Sequence, residues 1–272
     1  MAEAPWRLTK SLYAKKERMS TSLTIAEGPP SAISALEAGV EVEYMIMSQA
    51  FADSPGYERV HRALGGKEPG FPVHVVPDAL FERMSELRSP IGVVCVLPFP
   101  FRYPSGPPAS PWKEPLYLYG FDIQDPGNAG TLVRAAAATG VTALVFCGDS
   151  ADVFSPKCIR SSAGAAFKVN LEERDPELDP VEILAGLERS GVAVYKAAPR
   201  AGLAPWQAPL RRPSAVVVGN EARGLPAAVL DGPGKTITIP MPGDTESLNV
   251  AVASGMLLYE AVRQRLLSDP QS

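Results

Sequence analysis

Three of the four asparagines in this 272-residue chain stand in three separate blocks rich in glycine and proline: DIQDPGNAGTLVR at 122–134, VVVGNEARGLP at 216–226 and IPMPGDTESLN at 239–249. These residue types serve special backbone geometry and polar contact better than they serve a core. Each block also adjoins an apolar run, so the three read as strand ends shaped for a ligand. The chemistry on offer is one well-placed arginine, one glutamate, several amides and hydroxyls, and many main-chain groups. That inventory suits group transfer achieved by positioning. Arg134 follows Asn128 by about a turn and a half of helix. Helical side chains lean toward the N-terminus, so this long side chain can reach back to the end where backbone N–H groups favour an anion such as phosphate. A surface ion pair is the plainer alternative for the same arginine.

Several other chemistries are excluded by what the blocks lack. Gly219 to Gly224 has the glycine spacing of a phosphate loop but continues Leu225-Pro226, without the lysine and hydroxyl residue such a loop needs. No GxGxxG follows the first strand of the second domain, and no GxSxG elbow occurs. Neither His61 nor His74 has a second ligand at metal spacing, so no metal is expected. Asp122 and Asp125 fit a strand end and an Asx turn or helix cap. Cys95, Cys147 and Cys158 lie far apart with no CxxC and read as buried, reduced thiols.

The elements that must carry these blocks follow from pattern. A chain with 46% hydrophobic and 21% charged residues and no polar low-complexity tract can bury a sizeable core. The segment 97–115 contains seven prolines and reads as a stiff linker. The expected division is a small α/β domain over 1–104, the linker over 105–115, and a second domain over 116–272. In the first domain, apolar runs near 22–26, 42–47, 72–76 and 91–97 alternate with helical patterns near 30–38, 56–64 and 78–87. In the second, strands are expected at 116–123, 141–147, 192–197, 214–219 and 236–239, with helices at 128–139 and 156–163. The near-continuous apolar runs predict strands buried on both faces of a parallel sheet. A helix over 247–266 ends the fold, with Leu248, Val252, Met256, Tyr259, Val262 and Leu266 on one stripe. Ala251, Ala253, Ser254 and Gly255 make its first half slim enough for another backbone to approach closely.

A net charge of −4 and a pI of 5.4 exclude a nonspecific nucleic-acid coat but leave room for a local basic face. Residues 7–18 supply one, with Arg7, Lys10, Lys15, Lys16 and Arg18 against Glu17; Arg200, Arg211 and Arg212 lie near a later loop. The N-terminal stretch lacks the basic and apolar regions of a secretion signal, and no uncharged apolar run approaches the roughly 18 residues of a membrane helix. A cytoplasmic protein without a membrane partner is expected.

With these residues in place, 116–267 resembles the SpoU (TrmH-like) family of S-adenosylmethionine-dependent RNA 2′-O-ribose methyltransferases. Three motifs occur in family order and spacing: Asp125-Pro126-Gly127-Asn128-Ala129-Gly130 leading to Arg134; Gly219-Asn220-Glu221 followed by Gly224; and Ile239-Pro240-Met241 leading to Ser247-Leu248-Asn249. The first domain looks like the RNA-binding module that many such enzymes carry, with Ala26-Glu27-Gly28 at its strand-to-helix turn.

The resemblance implies a deep trefoil knot, in which the final helix passes through a loop formed by the last two blocks, and a homodimer. It places main-chain groups of Gly219, Ile239 and Leu248 around the cofactor, with Asn220, Pro240 and Met241 as neighbours. It makes Arg134 the catalytic arginine, with Asn128, Glu221, Ser247 and Asn249 completing the site. Many relatives carry a basic residue just after the Glu-Gly of the first domain. This chain has Pro29 and Pro30 there, so RNA contact is assigned to Lys15, Lys16, Arg18 and Arg160. The substrate implied is ribosomal RNA. A transfer-RNA enzyme, or a noncatalytic RNA-binding or ribosome-assembly factor on the same scaffold, is the alternative.

Overall fold

The computed structural model describes residues 4–268. The chain divides into two compact units, Met1–Pro108 with Phe154–Lys168, and Ala109–Val153 with Val169–Ser272.

The first unit is built on four strands, β1 (Leu23–Glu27), β2 (Tyr44–Ser48), β3 (Val73–Val76) and β4 (Val93–Pro98), in the order β1-β4-β2-β3. β4 runs antiparallel to both neighbours, while β2 and β3 are parallel. Strand period sorts the side chains onto two faces. Met45, Met47, Val93, Cys95 and Leu97 join one buried cluster; Ile25, Ile46, Val94 and Val96 join the other. Helices α1 (Pro5–Ser11), α2 (Lys15–Thr21), α3 (Pro29–Glu37), α4 (Gln49–Ala52), α5 (Pro55–Ala63) and α6 (Asp78–Met84) complete the N-terminal segment. Gly28, at φ +87, makes the turn from β1 into α3, where Pro29 supplies a ready helical φ.

The sequence expectation assigned everything after 116 to the second domain. Helix α8 (Pro156–Ser161) and the single turn Ala165–Phe167 fold with the first unit instead. Ile159 and Phe167 are fully buried in its core, and Ser34 Oγ donates to the Gly164 carbonyl at 2.8 Å. Apolar pattern shows that such a helix is amphipathic but not which core it joins. The proline-rich segment is also more fastened than a tether. The Phe99 N–H donates to Ser22 and Phe101 packs on Phe154 and Phe167. Trp112 Nε1 donates to the Thr139 carbonyl at 2.8 Å within the second unit.

The second unit is a six-stranded, wholly parallel sheet. Its strands are β5 (Leu116–Phe121), β6 (Ala143–Cys147), β7 (Leu171–Glu173), β8 (Ala193–Ala197), β9 (Ser214–Val218) and β10 (Lys235–Ile237), ordered β10-β8-β9-β5-β6-β7. Leu118, Leu144 and Val216 on one face and Tyr119, Val145 and Val217 on the other are buried, as expected for strands covered on both sides. α9 (Pro180–Arg189) and α10 (Ala227–Asp231) cover one face through Leu184 and Val229. α7 (Pro126–Thr139) packs against α11 (Val250–Ser268), which also meets β9. β7, α9 and the five-residue α10 were not anticipated. β7 is only three residues long, whereas α9 carried legible signals: an Asp179 cap, Pro180 at its first turn and Gly191 just beyond its end.

The apolar stripe of the final helix does not face the core. Val252, Met256, Tyr259 and Leu266, which share the apolar stripe seen in the sequence, are about half exposed or more, while Ala251, Ser254, Leu257, Leu258 and Ala261 face inward. Arg265 is also buried. Its guanidinium donates to carbonyls of Leu210, Arg212, Glu114 and Pro115, and so ties the end of α11 to the approaches of β9 and β5.

Candidate active site

The sheet order reverses between β5 and β9: chain progress moves one way through β5, β6 and β7, then resumes on the other side with β8. Loops at the carboxyl ends of strands flanking such a switch point diverge and leave a crevice. Two of the three sequence blocks are these loops. After β5, Asp122 adopts a left-handed backbone (φ +55), uncommon for a residue with a side chain. Three contacts hold it: its N–H donates to Cys147, its Oδ1 accepts from the Asp149 N–H at 2.8 Å, and its carbonyl accepts from Asn220 Nδ2 at 2.8 Å. Asp125 then caps α7 by accepting from the Gly127 N–H, as its place before Pro126 suggested.

Asn128, in the first turn of α7, joins the three blocks. Its Nδ2 donates to Glu221 Oε1 at 2.8 Å, and its Oδ1 accepts from Asn249 Nδ2 at 3.0 Å. Both ends of one amide are therefore used, which also settles its orientation. The Asn249 Oδ1 accepts from the N–H groups of Ala251 and Val252, so this residue caps α11 while reaching the site. Asn220 does something different. It is buried, its Oδ1 accepts from the N–H groups of Ala222 and Arg223 at 2.9 and 3.0 Å, and its Nδ2 bridges to the β5 loop. Its side chain shapes the loop and has no polar atom to spare.

Beside this network lies a cavity of about 300 Å³, at the small end of the range for ligand pockets. Its walls come from the ends of β8, β9 and β10 and from the start of α11. Of the residues assigned from sequence, Gly219, Asn220, Glu221, Ile239, Met241, Ser247 and Leu248 line it. Pro240 does not, nor do Asn128 and Asn249, which reach it through Glu221 and through α11. Ala197 at the end of β8 and Ala198 and Pro199 just beyond it line it as well and were missed; a short Ala-Ala-Pro at a strand end carries no distinctive signal. Gly219 is needed for contact: an added Cβ would lie 2.5 Å from the Gly224 carbonyl oxygen, against rigid backbone. Arg134 is exposed on α7 and makes no hydrogen bond or ion pair among the described residues, so its guanidinium is available to a ligand.

The expected RNA contacts divide. Lys15 and Lys16 are exposed on α2. Arg18 is a correction: it is 3% exposed and its guanidinium donates to the Leu12 and Tyr13 carbonyls at 2.8 Å, so it braces the chain between α1 and α2 and cannot reach a ligand. Arg160 stands 3.8 Å from the buried Glu27 carboxylate. Glu27 also accepts from Tyr13 Oη at 2.6 Å and from Ser85 Oγ, and burial beside that carboxylate raises the Tyr13 pKa. Among the described residues, no group of three or more His, Cys, Asp or Glu is placed to hold a metal, and no helix is long and apolar enough to cross a membrane.

A parallel α/β sheet with an apolar cavity, main-chain walls and a polar triad at its switch point has the form of a small-molecule binding site. The sequence profile of the SpoU rRNA Methylase family matches residues 115–259, and the chain belongs to that family. It is 30% identical over 253 residues to the 23S rRNA (guanosine(2553)-2′-O)-methyltransferase RlmP of Bacillus subtilis, an alignment covering 92% of each chain. The crystal structure of an RNA 2′-O ribose methyltransferase matches with a TM-score of 0.77 at 31% identity, covering 97% of each chain. The SpoU methyltransferase AviRb from Streptomyces viridochromogenes, in complex with the cofactor AdoMet, matches with a TM-score of 0.78 at 26% identity, covering 97% of this chain and 100% of that one.

Proposed function

We propose that this protein transfers a methyl group from S-adenosylmethionine to a ribose 2′-hydroxyl of ribosomal RNA. The observation that carries the reading is the Asn128 amide, which draws Glu221 and Asn249 from the other two motifs together beside the cavity. The cavity suits the adenosyl cofactor: apolar walls for the adenine, unencumbered main chain at Gly219, and the Ser247 hydroxyl. Gly219, Ile239 and Leu248 surround the adenosine, with Met241 beside them. When bound, the cofactor supplies an activated sulfonium methyl, so the protein's task is alignment of the hydroxyl with it, an effect worth roughly 7–11 kcal/mol in well-oriented systems.

Arg134 anchors the RNA phosphate and stabilises the developing alkoxide. A guanidinium stays protonated in proteins, so these roles suit it better than proton abstraction. Glu221, fixed by Asn128, orients the reacting groups. The first unit, Met1–Pro108 with Phe154–Lys168, is the RNA-binding domain; Lys15 and Lys16 are among its contacts, and a splayed single-stranded nucleotide contributes to selection. The catalytic domain is knotted, with α11 threaded through the loops of the second and third blocks; its slim Ala251–Gly255 segment suits close passage. The exposed apolar face of α11 is the surface of an isologous dimer. The protein works in the cytoplasm.

The test is transfer of labelled methyl groups to ribosomal RNA by the purified protein. Arg134→Ala is expected to abolish transfer while leaving cofactor affinity within a few-fold; near-normal turnover would overturn the assignment. Absence of S-adenosylmethionine binding by calorimetry would favour a noncatalytic RNA-binding factor.

A further inference from the structure

We propose that Arg223 binds the carboxylate of the methionyl half of the cofactor. This rests on the reading of the cavity as the S-adenosylmethionine site. That ligand carries two cationic centres, a sulfonium and an ammonium, and one carboxylate. Among the described residues lining the cavity, Glu221 and Arg223 are the only charged ones. Glu221 matches the cations: its Oε1 is held by Asn128, and its Oε2 makes no hydrogen bond among the described residues. A carboxylate placed against largely apolar walls needs a compensating donor, since desolvation of an unpaired charge is expensive. Arg223 makes no ion pair among the described residues. A guanidinium meets a carboxylate through two parallel N–H···O bonds.

The loop presents this arginine from a fixed backbone. Asn220 Oδ1 accepts from the Arg223 N–H at 3.0 Å, the Gly224 N–H donates to the Asn220 carbonyl at 2.9 Å, and Gly224 closes the turn at φ +69. Asn220 is anchored in turn to the Asp122 carbonyl. Less freedom is lost on binding when the root of the side chain is already set.

The test is calorimetry on the full-length protein with two ligands: S-adenosylhomocysteine, which keeps the amino-acid end, and 5′-methylthioadenosine, which lacks it. Arg223→Ala is expected to weaken S-adenosylhomocysteine about 10- to 100-fold and to leave 5′-methylthioadenosine unchanged, with Arg223→Lys falling between. The unchanged ligand also shows that the variant is folded. Equal losses for both ligands would mean that Arg223 only supports the loop, and overturn the proposal. So would no loss for either, including the case in which RNA affinity falls instead. If the unaltered protein binds neither ligand, the reading of the cavity fails and this inference fails with it.

Discussion

Asn128, Asn220 and Asn249 illustrate how one residue type can do three kinds of work. Asn128 uses both ends of its amide to join the first motif to the other two, Asn249 divides itself between a helix cap and that junction, and Asn220 is wholly spent on backbone. Their clustering in sequence marked the site, but spacing alone could not distinguish these jobs, because each depends on which backbone donor lies within about 3 Å after folding. Gly219 yields a direct expectation. Gly219→Ala pushes a methyl group into the Gly224 and Leu225 backbone, so stability is expected to fall by about 1–3 kcal/mol in urea titration, together with affinity for S-adenosylmethionine. A variant of undiminished stability would show that the Gly219–Gly224 turn is free to open.

At the scale of elements, α8 and the turn after it deserve a different place from the one that chain order suggests. Ile159 and Phe167 fill the first unit's core, and the Thr24 hydroxyl donates to Phe154. A fragment ending at Pro108 lacks this material. It is expected to lose fixed tertiary structure, seen as weakened near-ultraviolet circular dichroism and binding of a hydrophobic dye, where the full chain shows neither. A well-packed fragment would show that α8 adds little to that core. Most strands and helices were legible from periodicity, including all four strands of the first unit and five of the six in the second. What periodicity left open was association: the turn of α11 about its own axis and the unit that α8 joins are set by complementary surfaces supplied by distant segments.

For the whole molecule, two expectations follow. The outward face of α11, with Tyr259 at 68% and Met256 at 51% exposure, suits a self-associating surface. Sedimentation is expected to give a dimer for the unaltered chain and a monomer for Tyr259→Arg; a dimer that survives this change would place the interface elsewhere. The second concerns alkaline pH. Burial pushes the Cys95 and Cys147 thiols and the Tyr103 hydroxyl up to about 12 from ordinary values of 9.0 and 10.0. Folded pKa values above the unfolded ones favour the native state while the groups keep their protons. That contribution is complete below about pH 9 and is lost as pH rises toward about 12. The thermal midpoint is expected to hold level to about pH 9 and then to fall; a level midpoint through pH 12 would contradict this. By itself, the sequence determined the alternation of elements, the three motif blocks and their family, since these depend on local backbone preference and on residue identity at fixed spacing. Only the tertiary structure decided that Arg18 is buried, that the apolar stripe of α11 faces outward and that Asn128 bonds to both other motifs. Each of these depends on contacts between segments far apart in the chain, whose geometry follows from how whole surfaces pack and from which donors meet which acceptors.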